Sequence, residues 1–219
     1  MMRLLLVAYE FPPSPSPQSL RWTYLVRELA ARGHEMHVLA PDLGGRIAGL
    51  PELPASVTVH RTFAGPLRGM IALQRKRRQR RAARANAAGA DRPSPTATAD
   101  PIVLRPPRGW KQRVSEVLQS ILGLALFPDL RGEWNPWARP ALTRLLVQLS
   151  PDLVIASHEP ANTLELVRRA CGDRQRWVAD LGDPVLAGYT PRRWRRRARD
   201  VERSICAQAA LLTVTTAET

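Results

Sequence analysis

Arg3-Leu4-Leu5-Leu6-Val7-Ala8-Tyr9, broken by Glu10-Phe11-Pro12-Pro13-Ser14-Pro15-Ser16-Pro17, is the stretch on which the fold turns. A short apolar run closed by prolines predicts a buried strand followed by a loop. Beyond it, Gln18 to Arg32 carries a helical pattern, with Trp22, Leu25, Val26, Leu29 and Ala30 at i, i+3, i+4, i+7 and i+8. Ser16 is placed to cap that helix, Pro17 to occupy its first position without losing a hydrogen bond, and Gly33 to end it in a left-handed turn. Glu35-Met36-His37-Val38-Leu39-Ala40-Pro41 then predicts a second strand. Strand, loop, helix and strand make the opening unit of a doubly wound α/β domain. Its loop and helix N-terminus lie at the carboxyl edge of the first strand.

Working outward, Ser56–Arg61 predicts a third, weaker strand. From Gly65 to Arg108 the composition changes. Arg75-Lys76-Arg77-Arg78-Gln79-Arg80-Arg81 is dense in like charge and Asp91–Pro107 is rich in Pro, Ala, Thr and Ser, so 65–108 is expected to be a mobile basic insertion. Trp110–Phe127 has a wide apolar helical face, Trp134-Asn135-Pro136-Trp137 reads as a rigid aromatic turn, and Pro140–Ser150 as a helix. A strand at Asp152–Ser157, a helix at Pro160–Cys171 and a strand at Gln175–Leu181 follow. Thr190 is expected to cap the next helix, whose apolar stripe is Trp194, Ala198, Val201, Ile205 and Ala209 and whose other faces carry six arginines between Arg192 and Arg199. Leu211–Thr215 is the last strand. Six strands alternating with helices predict one Rossmann-like, doubly wound parallel sheet spanning residues 1–219.

Composition limits the rest. At 219 residues there is room for one well-cored domain with an insertion, and 44% apolar residues suit a globular chain. Cys171 and Cys206 show neither a disulfide framework nor metal-ligand spacing, which points to a reducing, cytoplasmic compartment. The N-terminal apolar run is too short for a signal peptide and meets Glu10 at once. No run of some 18 to 20 uncharged apolar residues predicts a membrane span. The formal charge of +14 raises nucleic acid, an anionic membrane surface and phosphorylated substrates as partners. Only Lys76 and Lys111 are lysines, and an arginine bias of that kind also fits ordinary solvated surface.

The sequence holds no dinucleotide fingerprint, Walker loop, zinc motif or nucleophile elbow. The polar groups that remain at the carboxyl ends of predicted strands are Glu10 with the Ser14–Ser19 loop, His158-Glu159, and Asp180-Leu181-Gly182-Asp183.

Together these segments resemble the N-terminal domain of GT-B fold glycosyltransferases of family 4. Phe11-Pro12-Pro13 after the first strand and Leu29 to Leu39 are similar to that domain's opening. Pro151–Ile155 followed by Ser157-His158-Glu159-Pro160 is similar to its strand and His-Glu-Pro-type loop. Trp177–Pro184 resembles the Asp-x-Arg-Asp-Pro segment of members that build bacterial surface polysaccharides, and Val201–Thr215 the helix and strand after it. The resemblance leaves out roughly 65–108. It implies retaining sugar transfer from a nucleotide-sugar donor to a glycan or lipid-linked acceptor, with no required metal or other cofactor. It assigns His158 to the reacting sugar, Ser16, Ser19 and Arg21 to the donor phosphates, and Glu10, Glu159, Asp180 and Asp183 to the acceptor.

The sequence departs from the family in two places. Ser14-Pro15-Ser16-Pro17-Gln18-Ser19 stands where the family has a glycine pair, and Gly182 where it has the arginine. The family's C-terminal donor-binding domain is expected to be absent from these residues, leaving them inactive alone or dependent on a separate donor-domain chain. Two other readings stay open: a basic nucleic-acid-binding module, disfavoured by sparse aromatics, and a non-catalytic partner of a transferase. A further expectation joins Trp110–Phe127, Arg75–Arg81 and Arg192–Arg199 in a peripheral contact with anionic lipid at the inner face of the plasma membrane.

Overall fold

A computed structural model describes residues 1–44, 51–87, 130–188 and 190–215. Six parallel strands form one sheet: β1 (Arg3–Val7), β2 (Glu35–Asp42), β3 (Val57–Phe63), β4 (Leu153–Ser157), β5 (Trp177–Leu181) and β6 (Leu211–Val214), in the order β3-β2-β1-β4-β5-β6. This is the doubly wound arrangement expected from the sequence. The order reverses between β1 and β4, and ligands bind such sheets in the crevice outside that switch point.

Alternation along β1 divides the core. Leu4 and Leu6 point to one face, where Trp22 and Val26 of α1 (Pro17–Ala31) cover them together with Met36 and Val38. Leu5 and Val7 point to the other, against α3 (Asn135–Leu149), α4 (Ala161–Cys171) and α5 (Arg192–Gln208). Leu142, Leu164, Val167, Trp177 and Ile205 fill that side and are each under 2% exposed. Trp22, Val26, Leu29 and Ala30 pack as the helical period predicts, whereas Leu25 is exposed.

α1 is defined by its ends. Ser16 Oγ accepts from the Ser19 amide at 3.0 Å, and Pro17 sits in the first turn. At the other end Gly33 has φ +84°. Its amide donates to Ala30 O and that of His34 to Leu29 O, the two reverse bonds that close a left-handed helix stop.

Residues 65–108 require a correction. Pro66–Ala87 is a helix, α2, not a disordered stretch; 88–108 lie outside the described residues, as does the Trp110–Phe127 segment. What overrides the charge density is a distant cap. Buried Glu133 accepts the Leu67 and Arg68 amides at 2.9 and 2.8 Å, neutralising orphan donors at a positive helix end. Gly65, at φ +113°, is required there, because a Cβ would lie 2.3 Å from Glu133 Cγ.

Two local expectations also change. Residues 134–137 are not a free-standing turn: a 3₁₀ segment (Leu130–Trp134) runs into α3, which begins at Asn135 and carries Pro136 in its first turn and Pro140 inside. Thr190 does not cap α5. Its Oγ1 accepts from the Ala187 amide at 2.9 Å and so closes the preceding turn.

Candidate active site at the carboxyl edge of the sheet

Two polar clusters stand side by side at the ends of β1, β4 and β5. The first centres on Asp180, whose side chain is 3% exposed. Arg21 reaches it from α1 with both terminal nitrogens, Nη1 to Oδ2 at 2.6 Å and Nη2 to Oδ1 at 2.7 Å. Thr213 Oγ1 of β6 donates to Oδ1 at 2.8 Å. Beside it, Ser157 Oγ accepts from Gln18 Nε2 at 3.0 Å and Trp22 Nε1 at 2.7 Å, and donates to the His158 carbonyl at 3.0 Å. A bidentate guanidinium–carboxylate pair out of bulk water is among the stronger polar contacts a protein makes. The bond to Asp180 raises the Arg21 pKa further above its ordinary value.

The second cluster is arranged around Arg131, from the 3₁₀ segment. Its Nη1 donates to Glu10 Oε1 at 3.2 Å, while Ser14 Oγ donates to Oε2 at 2.7 Å. Glu159 follows at φ +71°, a left-handed backbone that is strained for a side-chain-bearing residue. Its carboxyl pKa is raised by burial and by the charges of Asp183 and Glu10, against the opposing pull of Arg131. A Cβ on Gly182 would lie 3.4 Å from Glu159 Oε1, so Glu159 flanks the position where the family carries arginine. His158 is 8% exposed and its buried Nδ1 has no hydrogen-bond partner. Burial pushes its pKa down to about 4, with Asp183 and Asp180 acting upward and Arg131 downward. The imidazole is therefore neutral at pH 7. Tyr9, at the base of the loop, also has a buried, unpartnered hydroxyl, pushed up to about 12 chiefly by burial.

The residues picked out in the sequence are thus divided. Glu10, His158, Glu159 and Asp183 share one electrostatic neighbourhood, whereas Asp180 and Arg21 are committed to each other. Ser16 is occupied as the α1 cap. Ser19 is fully buried and its Oγ lies unpartnered in the interior. Sequence reasoning missed Arg131, Glu133 and Ser157. The first two lie in a short 3₁₀ segment with no periodicity to mark them; Ser157 was legible as a strand end and as the start of Ser157-His158-Glu159-Pro160, but not as a buried acceptor. The proline loop itself is held from β3, where Arg61 donates to Pro12 O through Nη2 and to Pro41 O through Nη1, the latter at 3.0 Å. Among the described residues no group of three or more His, Cys, Asp or Glu side chains is placed to hold a metal ion, and no helix is long and apolar enough to cross a membrane.

No protein-family model and no curated protein sequence matches the chain. Solved structures do. Sucrose-phosphate synthase from Thermosynechococcus elongatus superposes with a TM-score of 0.52 at 12% identity, over 97% of this chain and 42% of the synthase. The glycosyltransferase SsfS6 of Streptomyces sp. SF2575, complexed with thymidine diphosphate, superposes with a TM-score of 0.38 at 19% identity, over 96% of this chain and 46% of that one. The chain has a Rossmann-like, GT-B-type fold, shared with part of sucrose-phosphate synthase. It spans less than half the length of either protein.

Proposed function

We propose that this chain is the acceptor-side domain of a retaining glycosyltransferase of the family 4 type. It would serve the transfer of a sugar from a nucleotide-sugar to a glycan or lipid-linked acceptor of surface polysaccharide or glycolipid assembly. The observation that carries this reading is the grouping of Glu10, His158, Glu159 and Asp183 about Arg131 at the β1/β4 switch point. Carboxylates in that crevice accept hydrogen bonds from sugar hydroxyls. The neutral imidazole of His158, with its Nδ1 buried, adds no charge beside the sugar.

The donor side is less well provided. As the glycosidic bond breaks, the departing diphosphate gathers charge that must be met by preorganised cations or amides. Ser16 is engaged in capping, Ser19 is buried, and Arg21 would have to leave Asp180 to meet it. The reading therefore assigns the diphosphate to a donor-binding unit outside these residues. It requires no metal, and the chain by itself would not turn over a nucleotide-sugar.

The test is titration of the isotopically labelled chain with lipid-linked and free oligosaccharides, and separately with UDP and GDP. Saccharide-dependent shifts at His158 and Glu159, lost in D183N and absent with the nucleotides, are expected. Saccharides that move no resonance at Glu10, His158 or Glu159 would overturn the acceptor site, and turnover of a UDP- or GDP-sugar by the chain alone would overturn its dependence on a second unit. The Arg21–Asp180 lock also favours a second reading, a non-catalytic companion of a transferase. Co-purification with a complete enzyme, without saccharide shifts, would select it.

A further inference from the structure

Across β2 and β3 two imidazoles face each other. In the parallel register His37 pairs with Thr58 and Leu39 with His60, so His60 is the diagonal neighbour of His37. Strand alternation puts both rings on the face opposite Met36, Val38, Val57 and Val59, which pack with Trp22 and Val26 of α1. The ring centroids are 5.4 Å apart with the planes 25° from parallel, and His37 Nδ1 stands 3.2 Å from His60 Nε2. His34 and His158, the other two histidines, each have a buried Nδ1 without a hydrogen-bond partner.

The far side of His37 selects its tautomer. His37 Nε2 donates to Glu35 Oε1 at 2.9 Å, and a carboxylate only accepts. In the neutral ring the proton is therefore on Nε2, and Nδ1 carries a lone pair. Glu35 is itself held by Arg3, whose Nε donates to Oε2 at 2.8 Å. A carboxylate behind the non-ligating nitrogen is the arrangement that orients metal-bound histidines and makes their lone pairs more basic. Two nitrogens 3.2 Å apart, each about 2.05 Å from one ion, subtend about 100° at it, close to the tetrahedral angle of zinc.

We propose that His37 and His60 form a two-histidine site for a divalent transition-metal ion, Zn²⁺ in particular, that clips β3 to β2. The ion takes the place of the proton that His60 Nε2 donates to His37 Nδ1. That proton moves to His60 Nδ1, so both rings stay neutral. Water fills the remaining positions, and binding is weaker than in a four-ligand zinc site. Imidazole ligands select against Ca²⁺ and Mg²⁺, which take oxygen. A clip here acts on an edge: among the described residues β3 has only β2 as a sheet neighbour. Arg61, next to His60, donates from that strand to the carbonyls of Pro12 and Pro41. The site stands independently of the glycosyltransferase reading and gives the ion no part in sugar transfer.

The experiment is calorimetric titration of the full chain with Zn²⁺ and with Mg²⁺, followed by nitrogen-detected NMR of the imidazoles and thermal melts. One saturable Zn²⁺ site is expected, with no response to Mg²⁺. The His37 Nδ1 and His60 Nε2 resonances should move and those of His158 should not. With free Zn²⁺ at about a hundredfold its dissociation constant, the melting temperature should rise by about 5 °C or more. His60→Asn, or His37→Gln on the facing strand, should abolish both the site and the rise. Glu35→Gln should weaken binding about tenfold, the loss of an orienting carboxylate. His34→Asn and Cys206→Ser should bind as the parent does. Circular dichroism checks that every variant is folded. The absence of a saturable Zn²⁺ site overturns the proposal and leaves the pair as an imidazole hydrogen bond between two strands. Undiminished binding by folded His60→Asn overturns it by placing the ion elsewhere.

Discussion

The two clusters at the carboxyl edge are neighbours in space and opposites in chemistry. Around Asp180, every oxygen has a donor: Arg21 twice, Thr213 once, with Gln18 and Trp22 completing the shell through Ser157. Around Arg131, carboxylates outnumber the cation, Glu159 is held in a left-handed backbone, and His158 keeps a buried nitrogen without a partner. A satisfied buried network fixes a structure; an unsatisfied one is where a ligand can supply what is missing. The difference separates residues that hold α1 to β4 and β5 from a charged group beside which His158 Nδ1 has no hydrogen-bond partner.

The sharpest way to break this comparison is Asp180→Ala. Removing one partner strands the Arg21 guanidinium and the Thr213 hydroxyl, and a cost of about 3–5 kcal/mol is expected in urea unfolding. A loss below about 1 kcal/mol would mean the network is not a lock. Next comes pH. The His158 pKa is lowered from 6.5 to about 4, so the unfolded chain binds the extra proton between these values. Its contribution is fully present above pH 6.5 and is lost as pH falls toward 4, a change of about 3 kcal/mol by linkage. His158→Asn should flatten that part of the stability–pH curve, and proton-detected titration of the ring should find it neutral at pH 6. Ser157→Ala orphans the Trp22 and Gln18 donors and is expected to cost about 2 kcal/mol. Glu159→Gln should have the smallest effect, within about 0.5 kcal/mol at pH 7 and tending to stabilise. The sign follows from the raised Glu159 pKa, which makes its native carboxylate a liability once pH rises through that value. A marked destabilisation would place Glu159 in the lock instead.

Much of the sheet was legible because its signals are local. The alternating faces of β1, the Ser16-Pro17 cap, the Gly33 stop and the stripe of α5 are each written within one element. The misses have distant causes. The cap of α2 is a carboxylate 65 positions away, and no local pattern of charge reveals it. Arg21 was legible as a residue one turn into a helix at the right edge, but its partner lies 159 positions along the chain. Glu10, His158, Glu159 and Asp183 were found because they follow strands; Arg131, which organises them, follows none.

In a chain still being synthesised, β1 is an edge strand. Its partner β2 is complete by Asp42, but β4, which covers its other side, begins only at Leu153. Until then the apolar run Leu4-Leu5-Leu6-Val7 offers an open row of backbone donors and acceptors, the form in which strands pair with the wrong chain. Closing the sheet across so long a separation is slow by topology alone. The strand at the centre of the finished domain is thus its most vulnerable element on the way there, and the contacts of Arg21, Gln18 and Trp22 with β4 and β5 form only when that interval ends.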